Sequence, residues 1–66
     1  MKLTVNGEER LAPDGFTLLE LVHELGLDSS PIAIELNRQV ISRDRHRETR
    51  LADGDRLEIV TLVGGG

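Results

Sequence analysis

Hydrophobic and polar positions alternate along Lys2-Leu3-Thr4-Val5, so Leu3 and Val5 share one face of a short strand. Asn6-Gly7 follows directly. A two-residue type I′ hairpin needs positive φ at both central positions, and Asn-Gly meets that need with little steric penalty. Glu8-Glu9-Arg10-Leu11-Ala12 is therefore expected to return antiparallel, and Pro13-Asp14-Gly15 to end it in a turn.

The period then changes from two to that of a helix. Leu18, Leu21, Val22 and Leu25 stand at i, i+3, i+4 and i+7 and share one face, while Glu20, His23 and Glu24 point away. Thr17 suits the N-cap, Glu20 three residues on completes a capping box, and Phe16 and Leu21 have the spacing of a hydrophobic staple. Gly26 supplies a left-handed stop, with Leu27 placed to pack back on the last turn. A helix this short is marginal alone, so it must pack on a sheet.

Asp28-Ser29-Ser30-Pro31 connects to Ile32-Ala33-Ile34-Glu35-Leu36, whose alternation turns Ile32, Ile34 and Leu36 to the core. Asn37-Arg38 reads as a turn and Gln39-Val40-Ile41 as a short strand. Residues 42–50 have no periodicity and room for one helical turn, and Leu51 is placed to plug the core. Asp53-Gly54-Asp55 is a tight turn, and residues 56–63 form the last strand. Within it, Leu57 and Ile59 have the parity that faces the helix, and Val60 and Leu62 fall on the open face. This strand is apolar on both parities, as expected of a central strand with neighbours on each side. Two strands, a helix and three strands, with the helix covering one face of one sheet, make an α+β fold. A central last strand lies most naturally beside and parallel to the first, with the helix in the crossover. That is the ubiquitin-like β-grasp, expected here as one domain over residues 1–66 with a mixed sheet of about five strands.

Sixty-six residues make one domain. A domain of this size buries only roughly 60% of the surface its unfolded chain exposes, which leaves little room for a deep pocket or a self-sufficient enzyme. Without cysteine there is no disulfide, no thiolate metal site and no side-chain persulfide. No apolar run is long enough to cross a bilayer, and Met1-Lys2 leads into a strand and not into a signal-peptide core, so the expected location is cytoplasmic. A net charge of −4 argues against nucleic-acid binding. Arg38, Arg43, Arg45, Arg47 and Arg50 nevertheless cluster, with Asp44 and Glu48 among them. They read either as a solvated loop of mixed charge or as a docking surface for an acidic partner. Phe16 is the only aromatic residue, so no ring interleaves with the arginines to stack on bases. His23 and His46 have no Cys or carboxylate at metal-ligand spacing, so no metal is expected. Ser29, Ser30 and a histidine do not make a nucleophilic triad by count alone. No glycine-rich loop opens a helix, so no nucleotide is expected to bind this chain itself.

The remaining signal is Val63-Gly64-Gly65-Gly66. Three glycines bury no side chain and lose the most backbone freedom on folding, so they do not stabilise the fold. They follow the most apolar run of the chain without a break. Residues 63–66 are therefore expected to form a flexible tail that presents the carboxylate of Gly66; the bland alternative is a frayed chain end. Glycine has no Cβ, so Gly64 and Gly65 suit threading into a narrow channel of a partner. From Leu62 to Gly66 the extended tail spans on the order of 17 Å at ~3.4 Å per residue. Apolar Val60, Leu62 and Val63 beside it read as a partner-binding surface or as ordinary surface side chains.

The run Leu3-Thr4-Val5-Asn6-Gly7, then Phe16-Thr17-Leu18-Leu19-Glu20-Leu21, Ile34-Glu35-Leu36-Asn37, Ala52-Asp53-Gly54-Asp55, Leu57-Glu58-Ile59-Val60 and the terminal glycines closely resemble the bacterial thiamin-biosynthesis sulfur carriers, the ThiS family. The likeness covers the whole chain. Related carriers include the small subunit of molybdopterin synthase, which tends to be longer, and more distantly ubiquitin. The resemblance implies a carrier that is a co-substrate and not an enzyme, with no bound cofactor. An E1-like (ThiF-type) partner uses ATP to adenylate the Gly66 carboxylate. Sulfur drawn from cysteine through a cysteine desulfurase persulfide then displaces AMP and leaves a covalent C-terminal thiocarboxylate. A ThiG-type thiazole synthase takes that sulfur for the thiazole ring of thiamin. Chemically, an ordinary α-carboxyl titrates near pH ~3.5 and is a poor electrophile as the anion, so it needs a leaving group before sulfur attacks. Three alternatives stay open beside this reading. They are a molybdopterin-type carrier, a ubiquitin-like modifier joined to other proteins through Gly66, and a non-catalytic β-grasp binding module that needs no free terminal glycine.

Overall fold

The structure, a computed structural model, describes residues 1–62. Its elements are β1 (Lys2–Val5), β2 (Glu8–Leu11), α1 (Leu18–Glu24), β3 (Ile32–Leu36), β4 (Gln39–Ile41) and β5 (Arg56–Thr61), with one 3₁₀ turn at Arg43–Arg45. They form a single five-stranded sheet in the order β2-β1-β5-β3-β4. The last strand is central, parallel to β1 and antiparallel to β3. This is the α+β arrangement expected from the sequence. β5 is central only within the sheet, since one sheet face is covered and the other is open. Its regular pairing ends at Thr61, two residues short of the expected strand, although the Leu62 N–H still donates to the Pro31 carbonyl at 2.7 Å. Val63 and the glycines lie outside the described residues.

Both hairpins turn on two residues at positive φ. Asn6 and Gly7 have φ of 51° and 83° and join β1 to β2; Asn37 and Arg38 have 50° and 72° and join β3 to β4. Asparagine tolerates this region, but Arg38 occupies it against the steric preference of an L side chain. The two asparagines do more than turn the chain. Asn6 Oδ1 accepts from the Ile59 N–H at 2.7 Å and Asn6 Nδ2 donates to the Ile59 carbonyl at 3.1 Å. Asn37 Oδ1 accepts from the Arg56 N–H at 3.0 Å, and Asn37 Nδ2 donates to Asp55 Oδ1 at 2.9 Å. Each hairpin tip is thus bonded to the central strand or the turn that opens it. The Asp53-Gly54-Asp55 turn adds Lys2 N–H to Asp53 Oδ1 at 2.6 Å and Ala52 N–H to Asp55 Oδ2 at 2.7 Å, with Gly54 at φ 89°.

The helix has the cap read from the sequence. The Glu20 N–H donates to Thr17 Oγ1 at 3.2 Å, and the Thr17 N–H donates to Glu20 Oε1 at 2.9 Å. At the other end Gly26 sits at φ 74°; its N–H donates to the His23 carbonyl at 3.0 Å, and the Leu27 N–H to the Val22 carbonyl at 3.0 Å. These two bonds close a Schellman motif and satisfy carbonyls that the helix end leaves unpaired. Residues 42–51, aperiodic in sequence, serve the first turn. The Leu18 N–H donates to the Thr49 carbonyl at 2.8 Å and the Leu19 N–H to the His46 carbonyl at 3.0 Å. The core lies between this helix and one face of the sheet, with Leu3, Leu18, Leu21, Ile34 and Leu57 fully buried and Val22, Leu51 and Ile59 around them.

Two substitutions test the turns. Asn6→Ala loses both bonds to Ile59 and should destabilise the domain by about 2 kcal/mol, as expected when partly buried backbone groups lose their partners. Asn6→Gly keeps the turn geometry and should recover part of that loss. Arg38→Gly relieves the strained φ and should stabilise by about 0.5–1 kcal/mol after the extra entropy of glycine in the unfolded chain is subtracted. Urea denaturation midpoints measure all three.

Candidate functional site

Strand β5 divides its side chains as its alternation requires. Leu57 and Ile59 are 1% and 9% exposed, whereas Val60 is 56% exposed and Leu62, just beyond the strand, 49%. Val60 is paired with Ala33 on β3, so the two share the open face, and Ala33 is exposed as well. Val60, Leu62 and Ala33 together form a small apolar patch where β5 runs out toward residues 63–66. Val40, 74% exposed, stands opposite Glu35 further back on the same face.

The ground behind the patch is charged in an unusual way. Glu35 and Glu58 are direct partners across β3 and β5. Like charges opposite one another in a sheet weaken it. A shallow groove carries both carboxylates together with Asn37, Arg38 and Arg56. The open face thus offers an apolar end beside the tail and a rim that combines acceptors with guanidinium donors.

The arginine cluster separates into different roles. Arg43 donates to the Asp28 carbonyl at 3.1 Å and to the Ser30 carbonyl at 2.5 Å, which ties residues 42–50 to the connection after the helix. Arg45 pairs with Glu48 at 3.5 Å. Arg38, Arg47 and Arg50 make no ion pair among the described residues. Charge is segregated along the chain: residues 38–50 hold five arginines against two acids, net +3, and the rest holds three basic and ten acidic side chains, net −7.

The two histidines have contacts that sequence spacing does not reveal. His23 does have a carboxylate partner, Asp28, whose Oδ2 is 2.5 Å from His23 Nδ1. The Schellman turn brings the two together, and a five-residue separation fits no metal-ligand spacing rule. His46 is 3% exposed, its Nε2 is 3.2 Å from the Ile41 carbonyl, and its own carbonyl accepts from the Leu19 N–H in the first turn of the helix. Nothing in its sequence context, between two arginines, marks it as interior. No group of three or more His, Cys, Asp or Glu side chains converges among the described residues. No described helix is long and apolar enough to cross a membrane. Gly64, Gly65, Gly66 and Val63, the expected tail and part of the expected partner surface, lie outside the described residues; of the expected surface, the structure brings Val60 and Leu62 together.

The five-stranded sheet with one helix on one face is a β-grasp fold. The sequence profile described as the ThiS family matches residues 2–66. The chain is 34% identical to the Bacillus subtilis protein named sulfur carrier protein ThiS, with 97% of this chain and 98% of that one covered. It superposes on the crystal structure of the thiamine biosynthesis protein ThiS from Geobacter metallireducens with a TM-score of 0.85 at 32% identity, covering 100% of both chains. The chain belongs to the ThiS family. It is also 42% identical over 66 residues to a Paramagnetospirillum magneticum protein named thiazole synthase, and it spans 20% of that protein's length.

The His23–Asp28 pair predicts a pH response. The hydrogen bond to Asp28, and then its charge, raise the His23 pKa above the ordinary 6.5, with burial opposing only weakly. The pair therefore contributes its stabilisation fully below the unfolded-state pKa, and the contribution is lost as pH rises through the higher folded pKa. Asp28→Asn should bring the His23 midpoint back toward 6.5 in an NMR titration of the imidazole. An unchanged midpoint would show that the pair does not form in solution.

Proposed function

We propose that this chain is a sulfur carrier whose transferable atom rides on the C-terminal carboxylate of Gly66, and that it supplies sulfur for the thiazole ring of thiamin. The observation that carries this reading is the end of the central strand: in a ThiS-family chain, β5 leads toward Val63-Gly64-Gly65-Gly66 with Val60 and Leu62 uncovered beside it. The absence of cysteine in the sequence supports it, because no side chain here can hold a persulfide.

In the proposed cycle an E1-like adenylyltransferase joins the Gly66 carboxylate to AMP and releases pyrophosphate. A persulfide drawn from a cysteine desulfurase attacks the acyl carbon and AMP leaves, which forms an acyl disulfide. A second thiol cleaves that disulfide, becomes oxidised with the departing sulfur, and leaves the thiocarboxylate on Gly66. A thiazole synthase then accepts the sulfur. The chain is a co-substrate in every step; ATP is consumed by the partner. The match to proteins named thiazole synthase supports that choice of acceptor, since they contain a counterpart of the whole chain. Gly64 and Gly65 thread into the partner, and Val60, Leu62 and Val63 form the contact surface around the entry.

Intact-mass analysis after incubation with a ThiF-type enzyme, ATP, cysteine and a desulfurase tests the reading. One oxygen exchanged for sulfur is expected; an isopeptide-linked adduct would instead identify a modifier, and no change would refute the carrier. Val60→Glu should weaken binding to the activating partner with the thermal midpoint unchanged, and a calorimetric titration showing no loss would remove Val60 from the surface. Gly65→Val should slow adenylation severely, because a branched side chain blocks close approach to the terminal carbonyl. Unaltered pyrophosphate exchange would rule out threading.

A further inference from the structure

The hydrogen-bond parity of β5 leaves one residue half-paired, directly before the tail. Arg56, Glu58, Val60 and Leu62 direct their main-chain groups to β3, as shown by the Asn37 N–H on the Arg56 carbonyl at 2.8 Å and the Leu62 N–H on the Pro31 carbonyl at 2.7 Å. The alternate residues face β1. The Thr4 N–H donates to the Asp55 carbonyl at 3.0 Å, and the Asn6 N–H to the Leu57 carbonyl at 2.9 Å. The next residue, Ile59, finds no strand, because β1 has already turned into β2 at Asn6-Gly7. The Asn6 side-chain amide takes the place of that strand and satisfies both main-chain groups of Ile59. Beyond Asn6 none of the described residues continues the ladder. The N–H and C=O of Thr61 face the side that β1 has left, without a partner among the described residues. Thr61 is exposed, and exposed Val60 and Leu62 flank it.

We infer that Thr61 is a main-chain docking point for an extended segment of the activating partner, which adds to the sheet on the β1 side of β5. The inference rests on the carrier reading above and adds the mode of engagement. A β-edge selects an occupant by its chemistry: it takes backbone N–H and C=O groups at strand spacing and little else. Asn6 sets where that occupant begins, since its amide fills the last position before the opening. The partner segment therefore starts at Thr61, the last residue of β5. On the β3 side Pro31 and Leu62 are already paired, so only one flank of the strand is available.

Thr61→Pro separates this role from stability. It deletes an N–H that has no partner among the described residues, so the thermal midpoint should stay near that of the wild type. The catalytic efficiency of pyrophosphate exchange with a ThiF-type adenylyltransferase should fall by about ten-fold, the size of one lost intermolecular hydrogen bond. Thr61→Val keeps the N–H and should behave as wild type. Amide hydrogen exchange reads the contact directly: the Thr61 amide should exchange freely in the isolated chain and become protected in the complex, whereas Ile59 is protected in both. A wild-type chain that is adenylated while its Thr61 amide still exchanges freely in the complex overturns the strand pairing alone. A wild-type chain that is not adenylated at all overturns the carrier reading and this inference with it.

Discussion

The structure depends on how the central strand is held from its two sides. On the β3 side, β5 is paired in register from Leu57 to Thr61, with further bonds at Arg56 and Leu62. On the β1 side it has two paired positions, Arg56 and Leu57, because β1 is four residues long and ends in a two-residue turn. Parallel pairing is slightly weaker per residue than antiparallel pairing, and here it is also short. The Asn6 side chain lengthens it by one position, and the Asp53-Gly54-Asp55 turn fixes its start. With β5 so placed, Leu57 and Ile59 meet Leu3, Leu18, Leu21 and Ile34 in one core, and the opposite parity is left uncovered.

That asymmetry links fold to function. A strand fully paired on both sides to its end would present only side chains to another protein. Here the end of β5 offers the apolar side chains of Val60 and Leu62 on the open face and the main-chain groups of Thr61 on one flank, before the residues proposed to carry sulfur. In the proposed cycle a small domain delivers its terminus by docking, and the partner supplies the cavity and the nucleotide.

The segment 42–51 shows how an aperiodic stretch becomes ordered. Its carbonyls accept the first helical N–H groups, His46 is buried, and Arg43 binds carbonyls beyond the helix end. The helix has seven residues and would not persist in isolation. Buttressing at both ends replaces the length it lacks. The same segment gathers net positive charge in an otherwise acidic chain, with fields that reach about 10 Å at moderate salt.

Local chemistry in the sequence determined the hairpin at Asn6-Gly7, the capping box at Thr17 and Glu20, the Gly26 stop and the alternation that buries Leu57 while exposing Val60. Each depends on residues no more than a few positions apart, so each is written in spacing alone. The glycine ending and the lack of cysteine, also written in the sequence, support the proposed C-terminal site. Tertiary structure alone decided the second use of Asn6, 53 residues from the strand it completes, the burial of His46, the tying role of Arg43 and the unpaired flank of Thr61. These follow from which strand ends first beside which neighbour. Residues remote in sequence set that outcome through the closing of one sheet around one core, and no local pattern encodes it.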